Sequence, residues 1–385
     1  MVESVIFHIN KKIVSRLNRI VLLVVLTWVI ANPGTAQSST SISKLHFIGE
    51  YVVDFNHPFK DAPIGGLSGI DYDKSTDTYY LICDAGEAHY YKAKIYFTLK
   101  GIDSIRFTDV SYFLNSNGKR LQAAKKSGSE VDPESIRFNP LTQTVFWSSE
   151  GERSVKEQAF IDPAIYQSKN NGEMIGTLPI PENLKMSKEE KGPRRNGTFE
   201  GMTFADNYKT LYVSLEEPLY QDGPRASLTP TNSWVRFYQY RMADMKNVAQ
   251  YAYKLDPIAL PPIPAASFSV NGISEILSTG NKTMLVMERS YSTGHLGCVI
   301  KVFHANLAGA TDIKNVLSLS ANPPAKEIEK KLLLNFNDLN IYIDNVEGLT
   351  FGPDFPNGHK SLIFVADNNF NPLEKTQFLL FEVIP

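Results

Sequence analysis

A short pattern recurs through the chain: a polar residue, most often followed by glycine, opens an apolar strand, and a polar turn leads to a second apolar strand closed by a carboxylate. The clearest copy runs from Gly197-Thr198-Phe199-Glu200-Gly201-Met202-Thr203-Phe204 to Leu211-Tyr212-Val213-Ser214-Leu215-Glu216. In the same way Leu67-Ser68-Gly69-Ile70 leads to Leu81-Ile82-Cys83-Asp84, and Pro133-Glu134-Ser135-Ile136 leads to Trp147-Ser148-Ser149-Glu150. In these three copies the opening position and the closing carboxylate are 16 residues apart. A looser copy joins Val270-Asn271-Gly272-Ile273 to Val286-Met287-Glu288, and a longer one joins Val346-Glu347-Gly348-Leu349 to Phe364-Val365-Ala366-Asp367. The opening positions 68, 134, 200, 271 and 347 are separated by 66, 66, 71 and 76 residues. Periods of tens of residues signal stacked or radially repeated units, and five such units fill the chain.

A full unit offers four strand-like runs bounded by turn residues. In the first these are Gly66 to Tyr72, Thr78 to Cys83, Tyr90 to Leu99 and Ile105 to Leu114. The second carries a polar excursion, Ser154 to Asn171, in its outer half; the third has a Gly- and Pro-containing loop, Glu217 to Ser233, of a length usually associated with function. In the fourth, Ala325 to Leu334 reads as helical. The fifth has only three strands before the chain ends, and Leu45 to Val53 can supply the fourth. Pairing that N-terminal strand into the last unit closes a ring and removes two exposed sheet edges. The expected fold is therefore an all-β propeller of five four-stranded blades, with six as the alternative if an irregular loop hides a further unit.

Ahead of the repeats, Lys11, Lys12, Arg16 and Arg19 precede an apolar run from Ile20 to Ile30 and the small-residue site Gly34-Thr35-Ala36. That order predicts a secretory signal over residues 1–36, too short in its apolar core to span a bilayer, then a disordered Ser/Thr-rich linker over 37–44 and a single domain over 45–385. A secreted or periplasmic monomer is expected. Without the leader, the 39 basic and 41 acidic residues become 35 and 40, a formal net of −5, which excludes a global basic field for nucleic acid. Only Cys83 and Cys298 are present, so no disulfide framework is possible.

The first strand of each propeller blade lines the central channel and the second returns antiparallel to it, so the start of one and the end of the other share one end of the molecule. Glu134, Glu200 and Glu347 are then expected at one channel mouth with Asp84, Glu150, Glu216, Glu288 and Asp367; Ser68 and Asn271 stand at the same register. Eight carboxylates around one opening repel unless cations or proton uptake offset them. An all-oxygen donor set of this extent suits Ca²⁺, whereas the scattered histidines offer no zinc spacing. Arg153 and Arg289 follow closing carboxylates and are candidates to hold a phosphate, a geometry that guanidinium forks suit; pairing with the acids is their alternative role.

The runs Gly65-Gly66-Leu67-Ser68-Gly69-Ile70-Asp71, Asp132-Pro133-Glu134-Ser135-Ile136-Arg137, Phe199-Glu200-Gly201-Met202-Thr203 and Asn345-Val346-Glu347-Gly348-Leu349-Thr350, with Phe364-Val365-Ala366-Asp367-Asn368-Asn369, resemble the phytase-like family also called "esterase-like activity of phytase". The resemblance implies kinship with calcium-dependent β-propeller phytases, in which a channel-mouth acid cluster binds Ca²⁺ and a bound water attacks phosphate. Carried over by motif position, Glu134, Glu200 and Glu347 are implied as the metal-binding catalytic acids, with Asp84, Glu150, Glu216 and Asp367 completing the site. The chain departs from those phytases in showing five units where they have six and in lacking a lysine-rich substrate cluster. The departure points away from phytate more than from phosphoester chemistry.

Three functions remain open on the sequence. The first is a Ca²⁺-dependent phosphoesterase acting on a small-molecule phosphoester, with a metal-activated water as nucleophile. The second is a glycosidase-like propeller using two channel carboxylates. The third is a non-enzymatic propeller binding a ligand or partner with structural calcium.

Overall fold

A computed structural model describes residues 40–123 and 131–385; the expected signal lies outside them. Strand β1 (Lys44–Val53) comes first. Blade 1 is β2 (Leu67–Asp73), β3 (Thr78–Cys83), β4 (His89–Thr98) and β5 (Gly101–Tyr112). Blade 2 opens with β6 (Pro133–Asn139) and β7 (Thr144–Ser149), is interrupted by a small hairpin of β8 (Glu152–Ser154) and β9 (Ala159–Ile161), and ends with β10 (Ala164–Lys169) and β11 (Met174–Thr177). Blade 3 is β12 (Phe199–Ala205), β13 (Thr210–Leu215), β14 (Trp234–Arg241) and β15 (Lys246–Lys254). Blade 4 is β16 (Ser269–Gly280), β17 (Thr283–Ser292), β18 (Val299–Asn306) and β19 (Glu329–Asn335). Blade 5 takes β20 (Asn345–Phe351), β21 (Lys360–Asp367) and β22 (Thr376–Ile384) and borrows β1 as its outermost strand, in the order β1-β22-β21-β20. The protein is a five-bladed β-propeller, and the N-terminal strand closes the ring as the repeat count requires.

Period-two alternation explains why the second strands read as unbroken apolar runs. Along β3, Tyr79, Leu81 and Cys83 pack toward blade 5 with Ile363, Val365 and Phe378. The alternate residues Tyr80 and Ile82 pack toward blade 2 with Ile136, Phe138 and Val145. Both faces are covered, so both sets must be apolar. Aromatic rings fill the same seams: Tyr80 stacks on Phe138 at 4.7 Å between centroids, and Phe113 on Trp147 at 4.1 Å. Similar apolar seams join blades 2, 3 and 4, and blades 4 and 5, so the core is distributed between blades.

Three local expectations give way. Ala325 to Leu334, read as helical from its charges, supplies most of β19, because β18 needs an outer partner and takes Leu332 and Leu334 opposite Phe303 and Val302. The polar excursion of blade 2 contains β10, whose Tyr166 lies opposite Trp147. Residues 40–43 of the expected disordered linker are bonded: the Thr40 amide donates to Thr279 O at 2.7 Å, and Ser43 Oγ donates to Pro385 O at 2.7 Å.

At the axis the inner strands leave almost no room. A Cβ on Gly348 would lie 2.9 Å from Gly69 Cα and Ile70 N, and one on Gly69 would lie 2.8 Å from Glu134 O. One ion pair spans what space remains. Arg137, on β6, donates to Ile70 O of blade 1 at 2.7 Å and to Ile276 O of blade 4 at 3.2 Å, and pairs with Glu275 at 2.8 Å. Glu275 in turn accepts from Ser135 Oγ and from the Met202 amide, so the pair joins four of the five blades. Both side chains are buried. Removing one partner strands the other charge, so Arg137→Met is expected to cost about 3–5 kcal/mol in urea unfolding, whereas Arg137→Met with Glu275→Leu recovers more than half of that loss.

Candidate active site

Beta-bulges place the acids. Each inner strand pairs with its neighbour until one residue is skipped: Ser68 between Leu67 and Gly69, Glu200 between Phe199 and Gly201, Ser274 between Ile273 and Glu275, and Glu347 between Val346 and Gly348. In blade 2 the skip takes in both Glu134 and Ser135. A bulged residue leaves the ladder and its side chain is re-aimed. This register corrects the sequence alignment of blade 4. Its opening position is Ser274, three residues beyond Asn271. Because Ile273 pairs with Glu288 as Phe199 pairs with Leu215, the residue at the closing position is Arg289. Four blades close on an acid at this level and the fourth closes on a guanidinium.

Glu288 is accordingly turned away from the cluster. Its carboxylate accepts from Tyr253 Oη at 2.8 Å and Asn271 Nδ2 at 2.7 Å, and pairs with Lys330 at 2.6 Å. Arg153 is also placed elsewhere: its guanidinium donates to the carbonyls of Ser187, Lys188 and Glu189 and lies over the Tyr220 ring. Three carbonyls and a ring occupy it, which makes it an anchor for residues 187–189. Asp84 and Asp367 stand at the closing register of blades 1 and 5, beside Cys83, whose thiol is pushed up by burial first and then by these two carboxylates.

The remaining acids converge. Ligand atoms of Glu150, Glu200 and Glu216 lie within 4.8 Å of one another, as do those of Asp132, Glu134 and Glu150. Glu134, Glu150, Glu200, Glu216 and Glu347 are all buried. Burial raises the proton affinity of four of them, and neighbouring carboxylates add to it: Glu134 and Glu200 are held well above the usual carboxylate range, and Glu150 is pushed to about 8. Glu216 is raised by burial, with Arg289 pulling the other way. Arg289 is the cation of the group. It pairs with Glu347 and, at 3.2 Å, with Glu216, and donates to Asn345 Oδ1 at 2.8 Å. One guanidinium does not offset six carboxylates. The donors are all oxygen and close enough to share an ion, so they fit a hard divalent cation.

Asp132 is the member that sequence reasoning passed over. It lies two residues before Glu134, and the ladder ahead of the bulge sets it opposite Glu150, whose amide donates to Asp132 O at 3.0 Å as that of Glu216 donates to Thr198 O at 2.7 Å in blade 3. Glu217 was overlooked as well. It is buried, pairs with Arg225 at 2.8 Å, and is raised to about 8 by burial and by Glu216. The long loop that begins at Glu217 thus contributes Arg225 to the site.

A cleft of about 870 Å³ opens over this cluster on the side of blades 3, 4 and 5. Glu216, Arg289 and Glu347 are in its wall, with Arg195, Arg225 and Tyr291 among the residues around them. Arg153 is not part of that wall.

In comparisons with known proteins, residues 62–370 match the family described as "Phytase-like: Esterase-like activity of phytase". Solved structures of similar shape include endo-arabinase from Bacteroides thetaiotaomicron, at 13% identity and a TM-score of 0.43 over 87% of this chain and 98% of that one. Exo-β-1,3-galactanase from Phanerochaete chrysosporium follows at 11% identity and 0.43, over 86% of this chain and 64% of that one. The periplasmic gluconolactonase PpgL of Pseudomonas aeruginosa is at 9% and 0.36, over 84% and 87%. Such remote likenesses bear on no residue's role. No curated protein matches the sequence.

Acids with raised affinity bind protons more tightly in the folded chain than in the unfolded one. Cation-free stability is therefore greatest below the ordinary carboxylate value of 4.5 and falls as pH climbs toward about 8. A cation held by the cluster would substitute for those protons. Calorimetry is expected to show Ca²⁺ raising Tm by more near pH 8 than near pH 5; an equal rise at both would mean that the cluster is not where it binds.

Proposed function

Since the chain belongs to the phytase-like family, we propose that it is a Ca²⁺-dependent hydrolase of phosphate esters, exported and working as a monomer. The observation that carries this reading is the crowding of Asp132, Glu134, Glu150, Glu200 and Glu216 at one end of the propeller axis, beside Arg289, with Glu216 and Arg289 in the wall of a cleft.

Asp132, Glu134, Glu150, Glu200 and Glu216 are the residues that would hold the cation. A divalent ion bound there supplies a water of lowered pKa and a counter-charge for phosphate. The chain's own part is positional and electrostatic. Glu347, clamped by Arg289 and by Asn345 Nδ2 at 2.8 Å, keeps the guanidinium at the cleft wall. A phosphate oxygen entering the cleft meets that guanidinium as a fork of donors and exchanges with Glu216 or Glu347 for one of them. The buried inner strands exclude solvent from the far side of the cluster, because the Arg137–Glu275 pair fills the axis behind it. Low dielectric strengthens each of these interactions. The absence of a lysine-rich cluster and the single guanidinium inside the carboxylate group support a substrate with one phosphate at the site.

The test is hydrolysis of a panel of phosphomonoesters and diesters by residues 37–385, with Ca²⁺ and with chelator. Turnover is expected only with Ca²⁺, and Glu200→Gln is expected to lower kcat at least about 100-fold. The same substitution removes one of several like charges from a buried cluster, so the chelated variant should melt no lower than the parent. Calcium that raises Tm while no ester turns over would make the cluster structural and the chain a binding module.

A further inference from the structure

The cleft mixes two chemistries. Toward blade 3 its wall is ionic, with Arg225 paired to Glu217 and Arg195 to Glu152, and Arg289 of blade 4 reaches across to Glu216. Toward blades 4 and 5 Asp344, Asn345 and Glu374 are in the wall, and interspersed with them are five apolar side chains, Phe268, Tyr291, Leu296, Tyr342 and Leu373. Four of these five are among the 15 large apolar side chains exposed in the described residues, so a concentration of such surface at one concave site needs an occupant. Leu296 is 93% exposed and Leu373 85% exposed, while the Phe268 and Tyr291 rings sit together at 6.2 Å between centroids. A concave site that sets apolar side chains beside charged ones suits a ligand with one polar end.

Charge points the same way. The wall holds three arginines, Arg195, Arg225 and Arg289, against five carboxylates, Glu216, Glu217, Asp344, Glu347 and Glu374, a formal net of −2. The acids behind the wall, Asp132, Glu134, Glu150 and Glu200, take the formal count to −6, and one divalent ion leaves it at −4. A substrate bearing many phosphates would meet a wall with no surplus of cations, whereas one bearing a single phosphoryl group needs only the ion and Arg289.

We infer that the substrate is an amphiphilic phosphate ester: one phosphoryl group at the carboxylate and Arg289 end, and an aryl or alkyl group laid against Phe268, Tyr291 and Leu296. The inference rests on the phosphoesterase reading for its chemistry, but its recognition half is open to a binding experiment that needs no turnover. Phosphonates are hydrolysis-resistant stand-ins for the ester. Titration calorimetry of the Ca²⁺-loaded protein compares methylphosphonate, phenylphosphonate, octylphosphonate and inositol hexakisphosphate.

Octylphosphonate is expected to bind at least about tenfold tighter than methylphosphonate, with phenylphosphonate between them, since each buried methylene adds to affinity. In Phe268→Ala that ratio is expected to shrink to about threefold; the ring is largely exposed, so its truncation does not endanger the fold. Equal affinities along the series, or inositol hexakisphosphate binding more tightly than all three, would overturn the inference. Equal affinities together with sedimentation of the protein on phosphatidylcholine vesicles, abolished by Leu296→Ser, would assign the apolar side chains to a lipid surface and overturn it as well. Preferential binding of octylphosphonate without hydrolysis of any ester would leave the recognition standing and remove the phosphoesterase reading alone.

Discussion

Backbone crowding at the propeller axis is the constraint from which the site follows. Gly348 lies against Gly69, and Gly69 against the Glu134 carbonyl, at separations that exclude any side chain between them. Inner strands packed that closely cannot remain regular ladders over their whole length. Each gives way at a bulge near its start, and the bulged residue is Glu in three blades and Ser in two. Packing and chemistry are thus one event: the irregularity that lets five strands meet also gathers their carboxylates.

Gathering them creates an electrostatic conflict that the chain resolves in two different ways. At the centre, Glu275 meets Arg137 and a set of backbone and hydroxyl donors, a network that joins blades. One layer toward the mouth, the acids outnumber their cations, and protons or a metal ion must make up the difference. The first arrangement is suited to stability and the second to binding. Arg289, at a position where the other blades carry an acid, is the link between them and the cleft.

Much of this was legible in the residues. The recurrence of Phe199-Glu200-Gly201 and its relatives announced the blades, the short fifth unit announced closure by β1, and the paired register of Glu134 with Glu150 and of Glu200 with Glu216 announced the acid cluster. What misled was blade 4. Asn271-Gly272 has the look of the other openings, but the bulge falls at Ser274, and a shift of three residues turned Glu288 into a presumed ligand. Glu288 instead serves Tyr253, Asn271 and Lys330 at the seam with blade 3. The charged run ahead of Leu334 misled differently: its helical look yields to the need of β18 for a partner.

The sequence by itself determined the number of blades, the strand that closes them and the carboxylate-rich character of one mouth, because these depend on period and residue type, which are local and repeated. Only the tertiary structure decided which acids belong together, that Arg289 stands among them, that Arg153 is spent on the carbonyls of residues 187–189, and that exposed apolar side chains gather at the cleft. Those outcomes depend on where each ladder skips a residue and on which loops fold over the mouth. Both are settled by packing between blades, which no single repeat contains.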